Sequence, residues 1–154
     1  MLQSWKTFWA LKDAERAIAR EAAVGLTITH IGLRLLGFGR WKEFVTQRIT
    51  SPAEGTAQFN PPVSAHRILQ LETAVTRNLF FATNCLERSL VLWSLLRRRG
   101  FPADLRFGAR KETEQFEAHA WVELNAVALE VEQGRSEEFT PFNEVMTSMG
   151  TRAK

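Results

Sequence analysis

The hydrophobic pattern of this chain changes its period once, near Phe101-Pro102, and this change constrains the fold more than any other feature. Before it, apolar residues recur at the intervals of about three and four residues that mark one face of a helix. After it, apolar and polar residues alternate, as they do in strands with one buried face. Helices followed by a run of strands predict an α+β fold, with the helices packed on a small antiparallel sheet.

Four helical patterns precede the change of period. They cover about Ala10 to Leu36, Trp41 to Ile49, Ser64 to Asn78, and Cys85 to Gly100. Gly37 and Gly39 are expected to end the first helix. The stretch Thr50 to Pro62 reads as a surface loop, because it is rich in Ser, Pro and Gly and Pro disrupts a helix interior. About fifty helical residues make a poor independent core. We therefore expect one domain over 1–154, with a helical N-terminal part (1–50), the loop (51–62) and a catalytic core (63–154).

Three alternating patterns follow Pro102. Their apolar members are Leu105, Phe107 and Ala109; Ala118, Ala120, Val122 and Leu124; and Val127, Leu129 and Val131. The charged stretch Lys111 to Glu117 reads as a hairpin connection, and the close spacing of the strands predicts an antiparallel meander. The tail 134–154 is polar and less regular, although Phe139, Phe142, Val145 and Met146 can dock on the sheet.

Composition limits the class of protein and its compartment. At 45% hydrophobic and 24% charged residues, the 154-residue chain is too apolar for disorder and too polar for a membrane bundle. Its single Cys excludes an intramolecular disulfide and fits a reducing compartment. The most apolar early stretch, Ala22 to Phe38, is interrupted by His30 and Arg34, and the N-terminus lacks a signal-peptide pattern. These features predict a cytoplasmic protein without an integral membrane segment.

Cys85 lies in the first turn predicted for the most apolar helix. Thr83 and Asn84 are good N-cap residues, and Glu87 suits the first turn. Free backbone N–H groups and the positive end of the helix dipole would favour a thiolate there and could hold an oxyanion. By itself, a lone Cys is more often an inert core residue.

His119 supplies the group that a reactive thiol needs. It lies within a predicted strand, on the face opposite the apolar set, together with Trp121 and Glu123, and this arrangement indicates a lined cleft. The alternative is a structural histidine, which is the interpretation we give to His30 and His66. A Cys–His pair usually has a third group that orients the imidazole.

The next strand offers two carboxylates for that third position. Glu130 and Glu132 would share the face of His119 in a hairpin, and Glu130, being nearer the turn, is the first choice. A solvated strand face is the alternative for both residues.

Other chemistry has little support in the sequence. It lacks a Gly-rich phosphate loop, and one Cys with three scattered His gives no metal-ligand spacing, so neither cofactor nor metal is expected. Ser89 and Ser94 have no nearby base. The net charge of +3 is a mild excess, and the cluster Arg97 to Arg99 is expected to be a solvated helix end or a site for an acidic partner.

The residues around the Cys and the His resemble a known family. The order of Cys at a helix start, His on a strand and a carboxylate on the next strand resembles that of transglutaminase-like cysteine peptidases, which have a papain-like core. The run CLERSLVLWSLLRRRG from Cys85 resembles the catalytic helix of leader peptidases of lasso-peptide biosynthesis. The run FEAHAWVE from Phe116 resembles their histidine strand. The segment Arg34 to Trp41 is also similar, although it is less specific.

This resemblance implies a cysteine peptidase that removes the leader from a ribosomally made lasso-peptide precursor. It implies Cys85 as the nucleophile and His119 as the base. A separate protein would recognise the leader, and a separate ATP-using cyclase would join the freed amino terminus to an acidic side chain. The family commonly has an Asp where this chain has Val131, so the orienting role would pass to Glu130 or Glu132, or the site would be a Cys–His dyad.

Two further expectations concern the substrate and the rival functions. Trp121 and Phe116 could wall the substrate groove, although core packing explains them equally well. The first rival is a non-catalytic scaffold of the same fold that presents the precursor to a cyclase. The second is nucleic-acid binding through Arg97 to Arg99, which would be steeply salt-dependent.

Overall fold

The computed structural model describes residues 11–48, 63–112, 115–131 and 134–142. Three helices come first: α1 (Asp13–Arg48), α2 (Ala65–Asn78) and α3 (Cys85–Arg97). Strands β1 (Ala103–Glu112), β2 (Gln115–Leu124) and β3 (Val127–Leu129) follow, and a 3-10 turn (Ser136–Glu138) leads into β4 (Thr140–Pro141). This order confirms the α+β fold. The predicted loop Thr50 to Pro62 and the residues Val145 and Met146 lie outside the described ranges.

Helix α1 contains the predicted break. Within Asp13–Arg48, Gly37 has φ 72° and ψ 169°, which is not helical, so two helical segments meet there at an angle. A positive φ costs glycine little because it has no Cβ. One side of α1, including Ile18, Ala22 and Leu26, is buried in the core that it shares with α2 and α3.

Helix α3 lies at the centre of the molecule, as its apolar sequence predicts. Leu90, Trp93 and Leu96 are almost completely buried. The indole of Trp93 donates a hydrogen bond of 3.0 Å to the carbonyl of Ala103, which ties the helix to the first residue of β1. The buried indole N–H therefore has a partner, as burial of a polar group requires.

The four strands form one antiparallel sheet in the order β3-β2-β1-β4. Strands β1 and β2 pair along their whole length, with Gly108 opposite His119. A tight turn with positive φ at Asn125 and Ala126 leads to β3. The predicted meander is confirmed, but β3 ends at Leu129 and excludes Glu130 and Val131, which the alternating pattern had placed in the strand.

Strand β4 was absent from the sequence prediction. Its two residues pair with β1, with Pro141 opposite Gly108 and Thr140 opposite Ala109. Such a short element has too few residues for any periodic signal.

One helical stretch of the described chain, Asp13–Trp41, is long and apolar enough to cross a membrane. This is weak evidence for a span, because core helices of soluble proteins meet the same criterion. Ile18 and Ala22 of this stretch lie in the protein core.

Candidate active site

Local hydrogen bonds place Cys85 at the first position of α3. Asn84 is the N-cap: its side-chain oxygen accepts from the N–H of Glu87 at 2.9 Å. The Glu87 carboxylate accepts in return from the N–H of Asn84 at 3.1 Å, which completes a capping box. The predicted cap and first-turn acid are confirmed, and the thiol stands where the first N–H groups of the helix have no intrahelical acceptor.

The capping acid has a second, distant partner. Glu87 is buried, and its other carboxylate oxygen lies 2.9 Å from Nδ1 of His30 on α1. The His30 ring packs on Phe81 with the ring centroids 4.4 Å apart. His30 thus braces the start of α3 from the side of α1, a structural contact consistent with the role that the sequence analysis assigned to it.

A hydrogen bond joins the cysteine helix to the histidine strand. The hydroxyl of Ser89, one turn along the helix from Cys85, donates to the carbonyl of Ala120 at 2.8 Å. Ala120 directly follows His119 in β2. Because Ser89 is buried, this bond sets the position of the helix start relative to His119 without competition from water.

Cys85 and His119 line the same cavity, of about 360 Å³. The other side chains that contribute to its wall include Glu72, Arg77, Arg88, Trp121, Glu130, Val131 and Arg135. Within the described residues, no hydrogen bond joins the thiol to the imidazole. The structure therefore brings the two predicted groups to one site as an open pair, which catalytic groups commonly form before a substrate binds.

Aromatic rings hold the imidazole of His119. Phe139 stacks on it with centroids 4.9 Å apart and an interplanar angle of 27°, and Trp121 lies at 6.1 Å and 17°. Phe139 is buried and comes from the segment that leads into β4. Arg110 lies 4.9 Å above the Phe139 ring and also pairs with Glu138, so it holds this segment against the sheet.

The surroundings of His119 favour its neutral form. Burial lowers the pKa of the imidazole below its ordinary value, and the charges of Arg135 and Arg110 lower it further, while Glu117 acts in the opposite direction. A neutral imidazole at neutral pH can accept the thiol proton. The electrostatics thus suit a general base.

The predicted third group lies at the cavity, but among the described residues it forms no hydrogen bond with the histidine. Glu130 follows the end of β3, and its Oε1 is buried without a hydrogen-bond partner among the described residues. Val131 lines the same wall with 51% of its surface exposed. Glu132 lies outside the described residues. The role of Glu130 as orienting acid remains a prediction.

The two predicted groove residues have different positions. Trp121 lines the cavity, is 5% exposed, and donates its indole N–H to Glu123 at 3.0 Å. Phe116 is 79% exposed near the opposite end of β2 and is absent from the cavity wall. The structure brings Trp121 to the site and leaves Phe116 away from it.

Sequence reasoning missed two features that shape the site. At Gly108, an added Cβ would lie 2.8 Å from the carbonyl of Thr140 and 2.9 Å from the Trp121 ring, so only glycine lets both pack there. At the other wall, Arg88 of α3 forms a paired contact with the buried Glu72 of α2. The spacing of Arg88 from Cys85 could have placed Arg88 at the site from the sequence alone. Nothing in the sequence around Gly108 indicated its role.

Among the described residues, no group of three or more His, Cys, Asp or Glu side chains is placed to hold a metal ion.

A thiol at a helix start and an imidazole on a neighbouring strand, both open to one cavity, are the arrangement typical of cysteine enzymes. Residues 29–144 match the Transglutaminase-like superfamily, and the chain belongs to it. Members of that superfamily are generally cysteine peptidases and transferases. No match was found among curated proteins or among solved structures.

Proposed function

We propose that this protein is a cysteine peptidase that uses Cys85 as nucleophile and His119 as base. The observation that carries the proposal is the shared cavity, in which the thiol at the start of α3 and the imidazole of β2 both form part of the wall. Membership of a superfamily of cysteine peptidases and transferases supports the same reaction class.

The reaction would begin with transfer of the thiol proton to His119. The sulfur then attacks the substrate carbonyl carbon, and the resulting oxyanion accepts hydrogen bonds from N–H groups at the start of α3. His119 returns the proton to the leaving amine as the C–N bond breaks, which leaves an acyl-thioester on Cys85. Water, deprotonated by His119, attacks that thioester, and the acid product leaves as the thiol is restored.

The proposed substrate is a ribosomally made lasso-peptide precursor, cleaved after its leader. Support comes from the likeness of the Cys85 helix and the His119 strand to the corresponding segments of such leader peptidases. The proposed partners are a separate leader-recognition protein and a separate cyclase, and the proposed location is the cytoplasm. The α3 start and the β2 strand, which carry the likeness, both reach the cavity.

Cleavage of a synthetic precursor, read by mass spectrometry, tests this proposal. The peptide is a precursor identified among the genes that flank this one, and it is incubated with the protein alone and together with any leader-recognition protein encoded there. We expect one cut, between leader and core. The Cys85→Ala protein serves as control, and the same cut made by that folded variant would exclude Cys85 as nucleophile.

A non-catalytic peptide-binding scaffold is the second candidate. Two observations favour it: Val131 stands at the position of the expected acid, and among the described residues Glu130 forms no hydrogen bond with the imidazole. The pH profile of iodoacetamide alkylation separates the two functions. An inert scaffold predicts a midpoint near the free-thiol value of about 8.5, and an activated nucleophile predicts a lower one.

A further inference from the structure

The cavity wall beside Cys85 carries a guanidinium that is already fixed in place. Arg88 lies one turn after Cys85 on α3, so the two side chains project from the same face of the helix. Its Nε donates to Glu72 Oε1 at 3.2 Å, and its Nη2 donates to Glu72 Oε2 at 3.1 Å. Nη2 also lies 3.2 Å from the hydroxyl of Thr73. This geometry orders the side chain before any ligand arrives.

The acid that holds Arg88 is not itself accessible. The Glu72 side chain is 1% exposed, and its two oxygens also accept hydrogen bonds from the hydroxyls of Thr73 and Thr76. By contrast, 34% of the Arg88 side chain is exposed. Glu72 therefore acts as a buried anchor, and the guanidinium is the part of the pair that a ligand can reach.

The paired contact leaves donors unused. The bonds to Glu72 and Thr73 employ Nε and Nη2, and within the described residues Nη1 has no partner. An arginine presents five N–H donors in a planar fork that matches a carboxylate. Burial opposes the charge of Arg88, but the hydrogen bonds and charge of Glu72, together with the charge of Cys85, hold the pKa of Arg88 above its ordinary value.

The charged side chains of the cavity wall also favour an anionic ligand. Arg77, Arg88 and Arg135 contribute to its wall, against the carboxylates of Glu72 and Glu130. The Arg88–Glu72 pair is neutral as a whole, so the remaining charges of the wall are Arg77 and Arg135 against Glu130, and Arg135 also lies 4.0 Å from Glu117. The wall beside the thiol is thus suited to an anion.

We propose that Arg88, held by Glu72, binds a substrate carboxylate next to the bond that Cys85 cleaves. This inference rests on the proposed peptidase function and names the substrate class of the same site. The carboxylate belongs either to an Asp or Glu side chain close to the scissile bond or to a peptide C-terminus. Arg88 is then a specificity-determining residue, which binds the substrate without taking part in bond exchange.

Alkylation of Cys85 tests the inference without any peptide. Iodoacetate and iodoacetamide have nearly the same size, but only iodoacetate carries a carboxylate, which is bonded directly to the carbon that the thiol attacks. The ratio of their rates cancels differences in thiol access and thiolate content. We expect the ratio on the native protein to exceed that on the urea-unfolded chain by about tenfold, the effect of one charge-assisted hydrogen bond.

Variants locate the effect. Arg88→Gln should reduce the ratio to the value of the unfolded chain, whereas Arg98→Gln, which removes the same charge from an exposed position after α3, should leave it unchanged. Because Arg88→Gln leaves the Glu72 carboxylate buried without its cation, the double variant Glu72→Gln/Arg88→Gln is measured alongside it. Equal ratios for the native and unfolded protein, or an unchanged ratio in the folded double variant, would overturn the proposal.

The precursor peptide then identifies the source of the carboxylate. Each acidic residue near the cut is changed to its amide, and the peptide is also made with an amidated C-terminus. A loss of kcat/KM of about tenfold in one of these peptides identifies its group as the ligand of Arg88. Unchanged cleavage of all of them overturns the proposal. Absence of any cleavage counts against the peptidase function, while the alkylation ratio still decides the role of Arg88.

Discussion

The two sides of the candidate site are built by different means. On the Cys85 side, the helix start is held by a capping box between Asn84 and Glu87, which are three residues apart in sequence. On the His119 side, the described residues provide no hydrogen bond to the imidazole, and stacking on Phe139 holds it from a point twenty positions further along the chain. Local sequence thus fixes where the Cys85 helix begins, whereas the position of that helix against β2 and the stacking of the base depend on contacts that exist only in the folded protein.

This contrast has a consequence for stability and function. A local cap forms whenever the helix forms, and its loss costs about 1 kcal/mol. The packing around His119 needs β4 to pair with β1 opposite Gly108, where a larger side chain would collide with Thr140 and Trp121. We therefore expect the histidine side to be the more easily disturbed half of the site.

The largest expected effect comes from the thiol itself. Cys85→Ala should lower the cleavage rate by at least about a thousandfold, because no other group can form the thioester. Thermal unfolding should change little, since only one sulfur is removed from a partly exposed position. His119→Asn should cause a comparable loss of rate, and a minor loss in either folded variant would exclude that residue from the chemistry.

Gly108→Ala tests how much the His119 side of the site contributes to stability, for comparison with the Cys85 side. The added methyl would collide with the backbone of Thr140 and with Trp121, at a cost of about 1–3 kcal/mol in unfolding free energy. Denaturant melts measure this cost. The matched variant Asn84→Ala should cost about 1 kcal/mol through loss of the cap.

The same pair of variants predicts different changes in activity. At equal fractions of folded protein, Gly108→Ala should lower kcat more than Asn84→Ala, because it displaces the rings that hold His119. Equal losses of kcat would show that both halves of the site depend on packing to the same degree.

Glu130 is the next test, with a smaller expected effect. If its carboxylate reaches the imidazole in the substrate complex, Glu130→Gln should lower kcat by about tenfold. Glu132→Gln tests the alternative acid in the same way. Should neither variant slow turnover, the site is a Cys–His dyad in which aromatic stacking takes over the orienting role.

The smallest expected effect is a shift in the pH profile. The charge of Arg135 lowers the pKa of His119, so Arg135→Gln should raise that pKa. The acid limb of kcat/KM should then move to higher pH, and Arg98→Gln should leave it in place. A shift to lower pH would contradict this account of the electrostatics.

Much of the fold could be predicted because its signals are local. The positions of α2 and α3, the break at Gly37 and the β1–β2–β3 meander all follow from periodicity and from capping residues. The prediction was wrong at the end of β3: the alternating pattern continues to Val131, but the strand ends at Leu129. It also missed β4, which pairs with β1 only because Gly108 leaves room.

The candidate site also contains residues that the sequence predicted and contacts that it could not reveal. Cys85, His119, Trp121 and Glu130 were all named from sequence, and all four line the cavity, whereas Phe116 lies away from it. Phe116 is three residues from His119 in β2, so strand alternation places it on the face opposite His119 and Trp121. The pairing of Arg88 with Glu72 joins two helices, so neither residue reveals the other in the sequence.

The sequence by itself determined that Cys85 would begin a buried helix, since Asn84 and Glu87 form a cap within a single turn. It also determined that His119 would lie on a strand beside Trp121.

Only the tertiary structure decided that Phe139 would hold the imidazole, that Glu130 would leave a buried oxygen without a partner, and that Glu72 would anchor Arg88 beside the thiol. The physical reason is distance along the chain: caps and alternation act over a few residues, whereas these contacts depend on how helices and sheet pack together.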